Sequence, residues 1–164
     1  YRNRVKDLID YLAGPGNCVN GVGDFAGCYG NTGRATYSGV TLSGGMRAGS
    51  VNLGGSVDLM NPKNTETGLL LARRTKRQAT LTADTLVAGW TLGGEVQHTG
   101  QRYNDAANLQ PLPAYTLLNL SATIARDWQL LARVNNLTDK AYESVLGYAT
   151  AGRTFYLGLT WSPR

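Results

Sequence analysis

The densest chemistry in the chain is a basic run, ARRTKR, which sets Arg73, Arg74, Lys76 and Arg77 almost side by side. Cations this close repel one another unless an anion or an acceptor-rich group is shared between them, so the run marks a solvated patch or a place where phosphate-like groups are met. Lipid phosphates suit it better than nucleic acid, which is not expected as a partner: the net charge is +5, but no stacking aromatics accompany the run and the other basic residues are dispersed. The carboxylates Asp58, Asp84 and Glu95 could work as a general acid and base, yet residues so placed more often line a hydrated wall. His98, the only histidine, falls on the opposite phase from Glu95; no Ser/His/Asp constellation forms, no catalytic residue is assigned, and the chain is not read as an enzyme. Cys18 and Cys28 sit in the Gly-rich stretch GNCVNGVGDFAGCYG, where an oxidising compartment would close them into a short loop. Without a nearby histidine or third cysteine they make no zinc site, and neither metal nor cofactor is expected.

The elements that must position these groups are strands. Hydrophobicity alternates with period two: Val51, Leu53, Val57 and Leu59 oppose Asn52, Ser56 and Asp58, and Ala79, Leu81, Ala83 and Val87 oppose Gln78, Thr80, Thr82 and Asp84. The same holds for Trp90, Leu92 and Val96 against Thr91, Glu95 and Gln97, and for Leu118, Leu120, Ala122 and Ile124 against Asn119, Ser121 and Thr123. About eight strands are expected, each with one apolar and one polar face, in an all-β chain whose Tyr, Trp and Gly content favours sheet. No apolar run is long enough for a spanning helix, and no signal peptide is visible at YRNRVKDLIDYL.

Connection lengths alternate as strictly as polarity. Short turns fall near residues 48–50, 88–89 and 126–127, and long segments at 13–33, 61–70, 103–114 and 138–152. Strands running up and down would gather all short turns at one end and all long loops at the other, as in an antiparallel transmembrane β-barrel. Trp90 and Trp128 each follow a short turn, and Trp161 closes the last strand at that same end, all on the apolar phase. That is the placement of a membrane aromatic girdle. A soluble sandwich or ligand-binding barrel gives the same alternation with its apolar face inward, and is the alternative the pattern leaves.

The C-terminal stretch NNLTDKAYESVLGYATAGRTFYLGLTW resembles the end of TonB-dependent outer-membrane receptors, through Asn136, Leu137, Asp139, Lys140, Tyr142, Gly147, Tyr148, Gly152 and Arg153 and the final strand Phe155, Leu157, Leu159 and Trp161. YRNRVKDLIDY, TGRATYSGVTL, LLARRTKRQ and TGQRYND fall in the order seen in the cobalamin subfamily. The resemblance implies the C-terminal third of a barrel of about 22 strands, with residues 1–164 forming barrel only and the plug domain absent. It also implies TonB and a plug as partners, contact with outer-membrane lipid and lipopolysaccharide, assembly by the barrel-assembly machinery, and a bacterial outer-membrane location with a periplasmic C-terminus. Pro163 and Arg164 stand where family members usually end in an aromatic. The implied function is uptake of cobalamin as cargo; a siderophore receptor of the same family is the alternative, as is a small self-closed barrel with an enzymatic or anchoring role. Arg73 matches a residue of the family's cobalamin pocket, with Arg74 beside it and Tyr103 in the GQRY-like motif; a second family contact would fall on Ala107. Extrapolated strand phase points Arg74 and Lys76 inward and Arg73 outward, which a bulge near the rim would reverse.

Overall fold

The computed structural model describes residues 1–7, 9–12, 28–31, 33–125 and 128–161. Cys18 lies outside them and Cys28 enters only as a backbone position, so the expected cysteine pair falls outside the described residues, as does the turn at 126–127. In chain order the strands are β1 (Arg2–Lys6), β2 (Ile9–Leu12), β3 (Cys28–Asn31), β4 (Arg34–Ala48), β5 (Val51–Asn64), β6 (Arg77–Val87), β7 (Trp90–Thr99), β8 (Arg102–Tyr103), β9 (Pro111–Leu112), β10 (Tyr115–Ala125), β11 (Trp128–Asn135) and β12 (Thr154–Trp161). Eight of them form one antiparallel sheet in the order β1-β4-β5-β6-β7-β10-β11-β12. The remaining four make two small hairpins, β2 with β3 and β8 with β9, inside the long connections.

Every neighbour in the sheet is the next long strand in sequence, so the polypeptide runs up and down and the two kinds of connection separate to opposite ends. At the short-turn end, Gly49 takes φ 62°, as the first central residue of a type II′ hairpin turn requires. Ala88 and Gly89, at φ 49° and 83°, follow the type I′ pattern, with Ala88 in a region that L-residues enter at a cost. At the long-loop end β5 continues past the expected boundary at residue 61 and reaches Asn64. Pro62 is tolerated there because β6 begins only at Arg77, opposite Leu59; on that side no ladder requires the N–H that proline lacks. β6, β7 and β10 hold 11, 10 and 11 residues, the length of a tilted strand that crosses a bilayer.

Register keeps the two faces chemically separate across the whole sheet. Trp90 pairs with Ile124, Ile124 with Leu130 and Leu130 with Leu159, one continuous apolar row. Trp128 faces Trp161 one step nearer the turns, their rings stacked with centroids 5.8 Å apart. The two inter-strand rows Val57–Ala79–His98–Thr116 and Gly55–Leu81–Val96–Leu118 share that face, so His98 and Glu95 do project to opposite sides.

Burial is inverted relative to a water-soluble domain. On the apolar face Leu81 is 61% exposed and Leu159 64%, whereas Asn119 on the polar face is 7% exposed. The apolar residues do not converge in a dry centre, which removes the soluble barrel as a reading. Buried hydrophobic residues are found instead at the long-loop end, where Ala35, Leu71 and Leu112 are 2%, 7% and 0% exposed. The sheet is a partial barrel. Among the described residues β1 and β12 each have one strand neighbour, so the eight strands do not close on themselves as a small barrel would.

Candidate functional site

The polar face is a hydrogen-bonded wall rather than a set of paired acids. Asp58 accepts from the Thr41 hydroxyl at 2.6 Å, and Asp84 from the Asn52 amide at 2.8 Å. Glu95 accepts from Gln97 at 3.0 Å and Asn119 at 2.8 Å, and pairs with Arg133 at 3.4 Å. Each carboxylate is engaged by donors of its own, an arrangement that orders the side chains of the wall. From Asn119 the network continues into the loop end: its Oδ1 accepts from the Asn136 backbone N–H, and the Asn136 side chain exchanges two hydrogen bonds with the Lys140 backbone. Asn136 holds φ 50° and Asp139 φ 53°, while the Asp139 carboxylate caps the Arg153 N–H at 2.7 Å. A Cβ on Gly152 would lie 2.5 Å from that carboxylate. Asn136, Asp139, Lys140, Gly152 and Arg153, which carry the C-terminal resemblance, therefore build a turn that sets where the last strand begins.

Above the wall three connections, residues 65–76, 100–114 and 136–153, are tied into one unit. Asn108 donates to the Leu70 carbonyl and accepts from the Leu70 N–H, both at 2.9 Å, a reciprocal clamp between the first two. Asn104 accepts from the Leu146 N–H at 3.2 Å, joining the third. Asp105 closes the hairpin of β8 and β9 by accepting from the N–H groups of Leu109 and Gln110 at 3.1 and 2.8 Å. Partial burial pushes its carboxyl upward, but donation from Leu109, Gln110 and the nearby backbone outweighs this and holds it below the ordinary carboxylate range.

Between these loops and the polar face lies a cavity of about 400 Å³, lined among others by Tyr37, Arg73, Arg74, Arg102, Tyr115 and Ser144. Arg73 is not on a strand. Its φ of 60° is left-handed, its N–H donates to the Tyr103 carbonyl at 2.6 Å, and its Nε reaches Asn104 Oδ1 at 3.4 Å. Strand phase consequently does not govern it, and the expectation that Arg73 and Arg74 point apart gives way: both line this one cavity, while Lys76 does not. Tyr103 contributes its backbone, through β8 and the bond to Arg73. Ala107 lies beside the Asp105 turn and not on the cavity.

Sequence reasoning missed Arg102. Its side chain is buried, donates through Nη2 to the Glu143 carbonyl and stacks over the Tyr115 ring at 5.1 Å, with Tyr115 in turn stacked on Tyr142 at 4.2 Å. The signal lay in the sequence TGQRYND, read for its tyrosine alone. No residue of the cavity lining is acidic, so the site presents three guanidinium groups and aromatic surface, chemistry that receives an acceptor-rich or anionic ligand. A larger groove of about 670 Å³ is lined mostly by Leu92, Leu120, Val134, Phe155 and Leu157 of the apolar face, and matches acyl chains better than a polar ligand. Among the described residues no cluster of three or more metal-binding side chains occurs.

Comparison with known proteins agrees with this architecture. Residues 1–137 match the family described as TonB dependent receptor-like, beta-barrel. A curated relative, the vitamin B12 transporter BtuB of Photobacterium profundum, is 28% identical over 163 residues, covering 98% of this chain and 26% of that protein. Among solved structures, a ferric enterobactin receptor of Pseudomonas aeruginosa superposes with a TM-score of 0.70 at 24% identity, over 98% of this chain and 27% of its own. The copper transporter OprC gives 0.72 at 18% identity, over 96% of this chain and 28% of its own. This chain thus spans about a quarter of the length of these relatives. An open meander of long strands, apolar outside and hydrogen-bonded inside, is the wall of such a barrel, and the chain belongs to the TonB-dependent receptor-like β-barrel family.

Proposed function

We propose that this chain is a section of wall and ligand-facing rim from a bacterial outer-membrane receptor that takes up cobalamin, with residues 1–164 forming barrel and a plug domain filling the lumen of the whole protein. Its apolar face meets lipid, with Trp90, Trp128 and Trp161 at the periplasmic interface and the C-terminus on that side. Lipopolysaccharide phosphates meet the basic rim, the barrel-assembly machinery inserts the strands, and TonB supplies the energy that releases ligand inward. The reading makes the protein a transporter and not an enzyme: its side chains bind and release without changing bonds.

The observation that carries this reading is the joint placement of Arg73 and Arg74 on a polar-face cavity at the long-loop end, in a chain whose curated relative is named a vitamin B12 transporter. Amide-rich and phosphate-bearing ligands offer the acceptors that such guanidinium groups need. Uptake of a ferric siderophore is the second reading, favoured by the likeness to a ferric enterobactin receptor and by alanine at position 107. Equilibrium binding to the full-length receptor in detergent separates the two. Cyanocobalamin is expected to bind and ferric enterobactin not to, and Arg73→Ala is expected to weaken cyanocobalamin about tenfold or more, as loss of a charged hydrogen-bond donor does. Binding of the ferric complex alone would replace the corrinoid reading with the siderophore one.

A further inference from the structure

A second concentration of charge lies on the outward face, at the long-loop end and away from the ligand cavity. There the strands continue their lipid-facing phase past the last apolar residues with cations and small polar side chains. Val40 and Leu59 share a row with Arg77; beyond it come Arg2 with Ser38 and Asn61, then Arg4 with Thr36 and Lys63, then Lys6 opposite Arg34. Arg2, Arg4, Lys6, Arg34 and Arg77 are exposed and Lys63 is half-buried. From the pair Ala48 with Val51 at the turn end to the pair Val40 with Leu59 is eight positions of β4. That is about 26 Å along a strand and about 20 Å of height at the tilt of a barrel strand, close to the apolar band of such a barrel. The cations therefore begin where hydrocarbon ends.

This arrangement costs stability unless something shares the charge. Lys6 and Arg34 stand directly across from one another, a like-charged pair that disfavours the ladder. Among the described residues the ion pair formed is Arg133 with Glu95, so none of the six cations is neutralised in that way. Two carboxylates, Asp7 and Glu66, flank the upper edge, with Glu66 lying against Gly33. Two adjoining hollows open among the cations. One, of about 630 Å³, is lined by Arg2, Thr36 and Lys63, the other, of about 370 Å³, by Lys76 and Arg77, and they share Ser38, Val40 and Asn61. The patch runs from β1 to β6, three strand spacings or about 14 Å, wider than a single phosphate headgroup.

We propose that this patch docks one bisphosphorylated glycolipid of the outer leaflet, of the lipid A class. One phosphate sits among Arg2, Arg4 and Lys63 and the other at Lys76 and Arg77, with the sugars on Ser38 and Asn61 and the acyl chains on the apolar rows below Val40 and Leu59. Of the basic run ARRTKR, Arg73 and Arg74 turn to the lumenal cavity, so the lipid is met mainly by strand residues distant from that run in sequence. The inference rests on the outer-membrane reading and is independent of which cargo is imported.

The full-length receptor, purified from outer membranes in detergent and washed with a chelator to strip ion-bridged lipid, provides the test, with bound lipid read by native mass spectrometry. The wild type is expected to bind lipid A about tenfold or more tighter than monophosphoryl lipid A or phosphatidylglycerol, the effect of a second set of charged hydrogen bonds. Arg4→Ala combined with Lys63→Ala should remove most of that preference, whereas the charge-matched pair Arg73→Ala with Arg74→Ala should keep it. Should the first double variant fail to fold, Arg77→Ala takes its place with the same expectation. Equal binding of the three lipids by the wild type, a preference undiminished in the folded strand variant, or one lost equally in both double variants overturns the glycolipid site and leaves the outer-membrane reading standing. If the receptor is not recovered from the outer membrane, that reading falls and the site with it.

Discussion

On the wall, Leu120 is 42% exposed while its neighbour Asn119 is buried; at the rim, Leu71 and Leu112 are buried while Arg73 and Arg74 stand in the open. The same chain thus follows the burial rule of a membrane protein over its strands and that of a water-soluble one over its loops. The difference lies in what each region has to finish its contacts. A strand in a single-layer sheet has no second layer to cover its apolar side, so the surrounding medium must supply it. The loops are long enough to fold over one another, and Asn104 and Asn108 lock them together. Lipid should therefore govern the stability of the wall and leave the rim largely untouched.

The sharpest way to break this contrast is at the rim. Leu112→Ala empties a fully buried site, with an expected cost of about 2–5 kcal/mol. Limited proteolysis of the full-length receptor should then cut within residues 65–76 or 100–114 while the strands stay protected; uniform digestion would mean that rim and wall unfold as one. The wall has its own probe. Leu81→Arg on the apolar face should cost about 2–4 kcal/mol in unfolding from lipid vesicles, whereas Thr82→Arg, one residue along on the polar face, should cost little. Equal penalties at the two positions would contradict the assignment of faces.

The smallest effect concerns pH. Because the Asp105 carboxyl sits below its ordinary value when folded, its stabilisation of the β8–β9 hairpin is complete above the ordinary carboxylate range and is lost as pH falls through the lower folded value. Hydrogen exchange at the Leu109 and Gln110 amides should accelerate, relative to strand amides, as pH drops through that window. Asp105→Asn should remove this dependence.

The wall was legible because its rule is local. Alternation at Val51 to Leu59, Gln78 to Val87 and Leu118 to Ile124 reports a two-residue period that any strand must have, and the glycine turns punctuate it. The rim was not, because its contacts join residues far apart in sequence. Arg73 was placed by extending a strand that had already ended, and its left-handed backbone answers to the bond with Tyr103, thirty positions along. Arg102 looks in sequence like any exposed arginine; its burial depends on Glu143 and Tyr142 arriving from another loop. Even the C-terminal motif was legible only as a likeness, and its work at Asn136 and Asp139 became physical once the partners were visible.

The sheet has two raw margins. Along the outer sides of β1 and β12 the backbone amides and carbonyls face no strand among the described residues, and inside a hydrocarbon layer such a row cannot be left bare. Side chains are too few and too irregular to cover it. What completes this panel has to offer further ribbon at both seams, in register to the residue, so a slip of one position there would turn the new strand's oily side toward the lumen.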